Sequence, residues 1–226
     1  MYHTSLLDEV FNQARHDFLK SGYGRIPEAI PKPLLSALRN EADGLIRLHG
    51  NSEHDSPDYW TFTSSATGQP VLYRIHNLER QSGALHAAQL FAAGPMHALA
   101  TQVLNGPVSA NACAMIVKMP LHAAAVPWHR DRTDVPAGSA CNLSLFLDDC
   151  DAGNGCLQFV PGSHRLYDGA DVQNAVNESP IADLPLRAGE IAVHDVRAVH
   201  GSLPNSSRRI RRSIVIEFSR TDLDRP

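Results

Sequence analysis

Three things are scarce in this 226-residue chain, and each scarcity excludes something. Only four cysteines occur, Cys113, Cys141, Cys150 and Cys156, and no two stand as a Cys-x-x-Cys pair. Thiolate zinc sites draw on tighter clusters, so these are expected to be reduced thiols rather than ligands, in a cytoplasmic setting. No apolar run approaches the roughly 20 residues that span a bilayer, and Met1-Tyr2-His3-Thr4-Ser5 does not read as a signal peptide. Positive charge is short as well. Twenty Lys and Arg against 24 Asp and Glu give a formal charge of -4, which offers no basic field to nucleic acid.

What is there is globular. At 43% hydrophobic and 19% charged residues, one domain over 1–226 with a substantial core is the default, and no repeat, low-complexity tract or linker divides it. A small molecule is the expected partner; the composition is silent on oligomeric state. Ser5 reads as a helix cap ahead of a stripe of Val10, Phe11, Ala14 and Phe18 that ends at Gly22. Pro31 to Gly50 reads as a second amphipathic helix carrying Leu34, Leu35, Leu38, Ala42, Leu45 and Ile46 on one face. Residues 51–69 are polar and read as a loop, Val71 to His76 alternates like a strand, and two helical pieces break at Gly94-Pro95. From Val108 onward the signals are short strands: Ala112–Lys118, Ala140–Leu147, Leu157–Val160, Glu190–His194 and Arg211–Phe218. Helices followed by many short strands suggest a mainly β sandwich or jelly roll, with residues 1–107 a mostly helical flank and 108–220 the β core.

The stretch Val126-Pro127-Trp128-His129-Arg130-Asp131 places an imidazole and a carboxylate two positions apart. If it is extended, the pleat sends both to one face, where they can bind one cation. His-x-Asp alone is weak among 12 histidines and 24 acids. His200, far downstream, is the best third ligand, and two histidines with one carboxylate form the facial triad of non-haem Fe(II) oxygenases. Eleven residues after His200 stands Arg211, with Ser213 two further on. On a strand these share a face, and a guanidinium fork beside a hydroxyl can grip one carboxylate bidentately. Arg212 takes the opposite face, where a surface ion pair is expected. The remaining histidine near the triad in sequence, His194, finds no second residue to complete a site.

Taken in order, His129-Arg130-Asp131, Asp148-Asp149, Gly153-Asn154-Gly155, Pro161-Gly162-Ser163-His164, Ala188-Gly189-Glu190, His200-Gly201-Ser202, Pro204-Asn205 and Arg211-Arg212-Ser213 resemble the phytanoyl-CoA dioxygenase-like branch of the Fe(II)/2-oxoglutarate oxygenases. The resemblance covers roughly Lys118 to Phe218 well and the N-terminal half loosely. It implies a double-stranded β-helix of the cupin-like kind. It also implies Fe(II) on His129, Asp131 and His200, 2-oxoglutarate with its distal carboxylate on Arg211 and Ser213, and O2 as second cosubstrate. Asn142 and Ser144 share a strand face and could hydrogen-bond in the cosubstrate pocket, where the family often has an aromatic near the position of Ser144. Related halogenases carry Gly or Ala where this chain keeps Asp131, so hydroxylation-type chemistry is implied.

Specificity is then expected from the N-terminal half. Tyr59 and Trp60 in the 51–69 loop, Arg74 and His76 on the following strand, and His122 and Arg132 beside the metal stretch are the candidate substrate residues. The implied reaction oxidises an unactivated C–H of a small molecule and releases succinate and CO2. A natural-product intermediate is the expected substrate, by hydroxylation or by oxidative cyclisation on a sugar or amino-acid unit. The competing possibility is a cupin-like metal-binding module without 2-oxoglutarate turnover, which would leave Arg211 and Ser213 without a task.

Overall fold

The computed structural model describes residues 2–223 apart from 28, 51–54, 65 and 123–124, with side chains from residue 9 onward. Helix α1 (Tyr2–Ser21) buries Ala14 and Phe18 against the core, while Val10 and Phe11 pack at its edge. It starts before Ser5, which therefore lies inside the helix instead of capping it. Serine costs only a few tenths of a kcal/mol in a helix interior, about 0.5 at most, so the upstream residues can extend the helix past it. Gly22, at φ 85°, ends it, its N–H bonded to the Phe18 carbonyl, and strand β1 (Tyr23–Ile26) follows at once. Helix α2 (Lys32–His49) has proline in its first turn and buries Leu35, Leu38, Ala42 and Leu45.

The 51–69 segment departs from expectation. Tyr59–Thr63 is a strand, β2, paired with β3 (Pro70–Ile75). Its five residues are all aromatic or β-branched, and that local preference outweighs the polar flanks that suggested a loop. Helices α3 (Leu85–Ala92) and α4 (Pro95–Leu104) meet at Gly94, φ 96°. The remaining strands are β4 (Val108–Lys118), β5 (Val126–His129), β6 (Ala140–Phe146), β7 (Leu157–Phe159), β8 (Ala182–Leu184), β9 (Ile191–Asp195), β10 (His200–Ser202) and β11 (Arg211–Arg220). Helix α5 (Val172–Glu178) lies between β7 and β8.

Two antiparallel sheets result: β1-β9-β6-β11-β4-β3-β2 and β5-β10-β7-β8. This is the double-stranded β-helix, mainly β with N-terminal helices. One face of the large sheet buries Leu143, Leu145, Val193, Ile214 and Ile216 in the same apolar cluster as Leu99 and Val103 of α4 and Phe18 of α1. The other face looks toward the small sheet. By period 2, Arg211, Ser213, Val215 and Glu217 on β11 share that inner face with Asn142 and Ser144 on β6 and with Ala112, Ala114, Ile116 and Lys118 on β4. Together they line a cavity of about 700 Å³. The four cysteines are buried and unpaired. No helix among the described residues is long and apolar enough to cross a membrane.

Candidate metal and cosubstrate site

The small sheet brings the two distant histidines together. In the β5–β10 pairing His129 lies directly opposite His200, and their rings are 4.3 Å apart. The approach is close because Gly201 has no side chain: a Cβ there would sit 2.9 Å from the Val126 carbonyl. Asp131 lies two residues past the last paired residue of β5. Its carboxylate is 3.3 Å from His129 Nε2 and 3.7 Å from His200 Nε2. One donor atom from each residue falls within 4.8 Å of the others.

Backbone carbonyls fix the histidine tautomers. His129 Nδ1 donates to the Pro127 carbonyl at 2.8 Å, and His200 Nδ1 to the Ala198 carbonyl at 3.0 Å. A carbonyl only accepts, so each Nδ1 carries the proton and each Nε2 presents a lone pair to the centre. Electrostatics agree with this arrangement at His200 and Asp131. Burial drives the His200 pKa down to about 3, against the pull of Asp131, so this ring is neutral. Burial opposes charge on Asp131 too, but His200, His129 and His194 outweigh it and hold the carboxyl well below the usual range. At His129 burial also opposes charge, but the hydrogen bond and charge of Asp131 and the Pro127 carbonyl win and raise its pKa, which favours a proton on Nε2 toward Asp131 that a bound cation would displace. An ionised carboxylate and lone-pair-bearing imidazoles are the forms a divalent cation needs.

Two neighbours support Asp131. Asn142 Nδ2 donates to Asp131 Oδ2 at 2.8 Å, and His194 Nε2 lies 3.0 Å from the same oxygen. Asn142 was expected beside the cosubstrate. Its amide is instead committed to the metal-facing carboxylate, because β6 places it opposite His194 in the row that carries Asp131's partners. His194 had been set aside; its place depends on the β6–β9 register, which no local spacing in the sequence reveals.

At the far end of the cavity Arg211 is 2% exposed and lies over the Phe146 ring at 4.7 Å. Its Nε is buried without a hydrogen-bond partner, and so is the Ser202 hydroxyl; both residues line the cavity with Ser213. Orphaned buried donors are rare in proteins and mark a place where a ligand supplies the acceptor. Ser202 was missed by sequence reasoning although the signal was present: it stands two after His200, hence on the same strand face. Ser144 also lines the cavity. Arg212 is not a surface ion pair. Its side chain is 7% exposed, grips Asp148 with Nε and Nη2 at 2.8 Å each, and reaches Asp43 with Nη1.

Of the substrate candidates, Trp60 and Arg74 line the cavity. The Arg74 guanidinium is 5.6 Å from the Trp60 ring centre, its Nε is buried without a partner, and burial lowers its pKa against the opposing charge of Asp131. The other four lie elsewhere. Tyr59 points to the opposite side of β2, against the core and the His49 ring. His76 lies beyond the end of β3, so strand parity no longer applies to it, and it packs on the edge of Trp60. His122 meets the Ser64 hydroxyl at 3.3 Å. Arg132 is clamped by Asp134 and Glu217. Glu217, which sequence reasoning passed over although it shares strand parity with Arg211 and Ser213, lines the cavity.

A jelly roll with a two-histidine, one-carboxylate centre beside a buried arginine defines a class of non-haem metal proteins. The phytanoyl-CoA dioxygenase (PhyH) family model matches residues 18–213, and the chain belongs to that family. Among its relatives, L-proline trans-4-hydroxylase from Streptomyces griseoviridis is 27% identical over 152 residues, 65% of this chain and 52% of the relative. A probable alpha-ketoglutarate-dependent hypophosphite dioxygenase from Stutzerimonas stutzeri is 31% identical over 121 residues, 46% of this chain and 42% of the relative. The chain thus spans about half the length of these curated relatives. The crystal structure of AviO1 from Streptomyces viridochromogenes Tue57 superposes with a TM-score of 0.87 at 39% identity, covering 94% of this chain and 96% of that one.

Proposed function

We propose that this protein is a dioxygenase that uses Fe(II), 2-oxoglutarate and O2 to oxidise an unactivated C–H bond of a small molecule, releasing succinate and CO2. The substrate is a natural-product intermediate, oxidised on a sugar or amino-acid unit by hydroxylation or oxidative cyclisation. One observation carries the proposal. A three-residue donor set and a buried arginine with an unpartnered Nε open into the same cavity.

The residues fit the groups. His129 Nε2, His200 Nε2 and Asp131 would hold the iron, and iron with the keto acid supplies the electrons that activate O2. Everything else is the work of the chain. The carbonyls of Pro127 and Ala198 aim the imidazoles. Asn142 and His194 orient the carboxylate. Arg211, Ser213 and Ser202 would hold the distal carboxylate of 2-oxoglutarate, the guanidinium contributing charge and the hydroxyls direction. Trp60 and Arg74 form the wall where the substrate would sit and exclude water from it. Retention of Asp131 supports oxygen insertion over halogen transfer.

Support comes from the relatives, one named for proline hydroxylation and one for alpha-ketoglutarate dependence. A cupin-like module without turnover would have no use for a buried arginine facing the metal cavity. Succinate release from 2-oxoglutarate decides between them. The proposal expects release that needs Fe(II) and O2 and stops with EDTA; none under any condition would favour the non-catalytic module.

A further inference from the structure

The inner face of β11 carries Arg211, Ser213, Val215 and Glu217 in succession, all lining the cavity. The first two face the proposed cosubstrate end. Glu217 is four residues past Ser213, roughly 13 Å along the strand, at the opposite end. There it pairs across to Asn142, whose amide holds Asp131, so the Glu217 and Asn142 Cβ atoms are roughly 5 Å apart. The carboxylate therefore flanks the metal centre on the side away from the cosubstrate anchor.

Its two oxygens are not equivalent. Arg132 Nη1 at 3.1 Å and Asn111 Nδ2 at 3.2 Å both donate to Oε1. Oε2 receives no hydrogen bond from any described residue. The side chain is 19% exposed, and one oxygen is thus pinned while the other is left for a ligand. The same cavity holds Arg74, whose side chain makes no hydrogen bond or ion pair to a described residue. An acceptor and a donor face one space, with the rings of Trp60 and Tyr73, 6.2 Å apart, along its wall. A group bearing charge of one sign only would be opposed by Glu217 or by Arg74. Neutral hydroxyls, each both donor and acceptor, satisfy both, as would an amino-acid zwitterion; the aromatic wall favours the first, since the C–H faces of a sugar ring stack on it, and the L-proline arm of the test separates the two.

We infer that Glu217 is a substrate-binding residue whose Oε2 accepts a hydrogen bond from a sugar hydroxyl and so sets which carbon faces the metal. The inference rests on the iron and 2-oxoglutarate reading above.

The test uses the protein loaded anaerobically with Fe(II) and 2-oxoglutarate, probed with the methyl glycosides of glucose, galactose and mannose and with L-proline. At least one glycoside should shift the visible band of the loaded protein and, in air, raise succinate release several-fold. Glu217→Gln should weaken that glycoside on the order of ten- to a hundredfold, the loss of one hydrogen bond to a charged group. Its visible band and its affinity for 2-oxoglutarate should stay unchanged. Glu217→Asp keeps the charge against Arg132 but retracts the carboxylate, and should weaken binding to a lesser degree. A wild-type band that none of the glycosides moves, a response to L-proline alone, or equal glycoside affinity in both variants would overturn the inference. A change in melting temperature without a change in affinity would make Glu217 structural and overturn it too. Absence of the band in the wild type is a different failure: it would remove the underlying reading itself.

Discussion

At the scale of single residues, strand parity separates two adjacent arginines. Arg211 faces the cavity with an unpartnered Nε, whereas Arg212 faces the other way into Asp148 and Asp43. Arg211→Ala is expected to raise the 2-oxoglutarate concentration needed for succinate formation about a hundredfold, from the loss of a charge-assisted bidentate contact. Arg212→Ala should leave that requirement nearly unchanged and lower unfolding stability by on the order of 3 kcal/mol, because Asp148 loses its buried partner. Cosubstrate titration and denaturant unfolding of both variants check this; equal cosubstrate effects would show the wrong register. Gly201 yields a second expectation. A methyl group there meets the Val126 carbonyl at 2.9 Å and pushes β5 from β10. Gly201→Ala should weaken Fe(II) binding at least tenfold, measured by anaerobic titration, since His129 and His200 sit on those two strands. Parity made Arg211 and Ser213 legible from sequence, and it would equally have exposed Ser202 and Glu217; the His129–Asp131 pair was legible from its spacing, although Asp131 stands in the turn past β5 and not on the strand. It could not expose His194, which reaches Asp131 through pairing between strands remote in sequence. Nor could it place Arg132, whose fate hangs on finding Asp134 and Glu217 within reach.

At the scale of elements, helices with clear apolar stripes fell where the 3.6-residue period put them, because burial of one face dominates their energetics. The shortest strands did not stand out. β10 has three residues and owes its existence to β5 and β7 on either side. β2 was hidden by polar neighbours, and its discovery changes the expectation for Trp60. The residue sits on a paired strand rather than a free loop, half-exposed at the cavity wall, with Arg74 and His76 against its ring. Trp60→Ala should therefore fold, since a side chain 40% exposed gives up little core burial. It should keep its iron–2-oxoglutarate band and lose several-fold in substrate-coupled succinate formation. Unchanged coupling would mean that the substrate wall lies elsewhere, toward Tyr73 and Glu217.

At the scale of the whole molecule, two sheets enclose a cavity whose apolar wall is set with several ionisable groups, and the fold must bury them there. Lys118, at the end of β4 directly opposite Arg211, shows the cost. Burial first, then the neighbouring guanidinium, lowers its pKa to about 7, while its Nζ donates to the Leu203 carbonyl at 2.6 Å. An unfolded lysine holds its proton up to about 10.5. Between these values the unfolded chain binds more protons than the folded one, so this group makes the protein more stable as pH rises from about 7 toward 10. Denaturant midpoints at pH 7 and pH 9.5 should thus climb more steeply in the wild type than in Lys118→Met; parallel curves would contradict the burial-driven shift.

The central claim is that three side chains from β5, the turn after it and β10 hold one iron that a keto acid then chelates. Anaerobic addition of Fe(II) and 2-oxoglutarate, followed by visible difference spectroscopy, addresses it directly. The account predicts a weak charge-transfer band in the wild type that disappears in both His129→Ala and His200→Ala while each variant keeps its folded secondary structure. A band of undiminished intensity in either variant would contradict it.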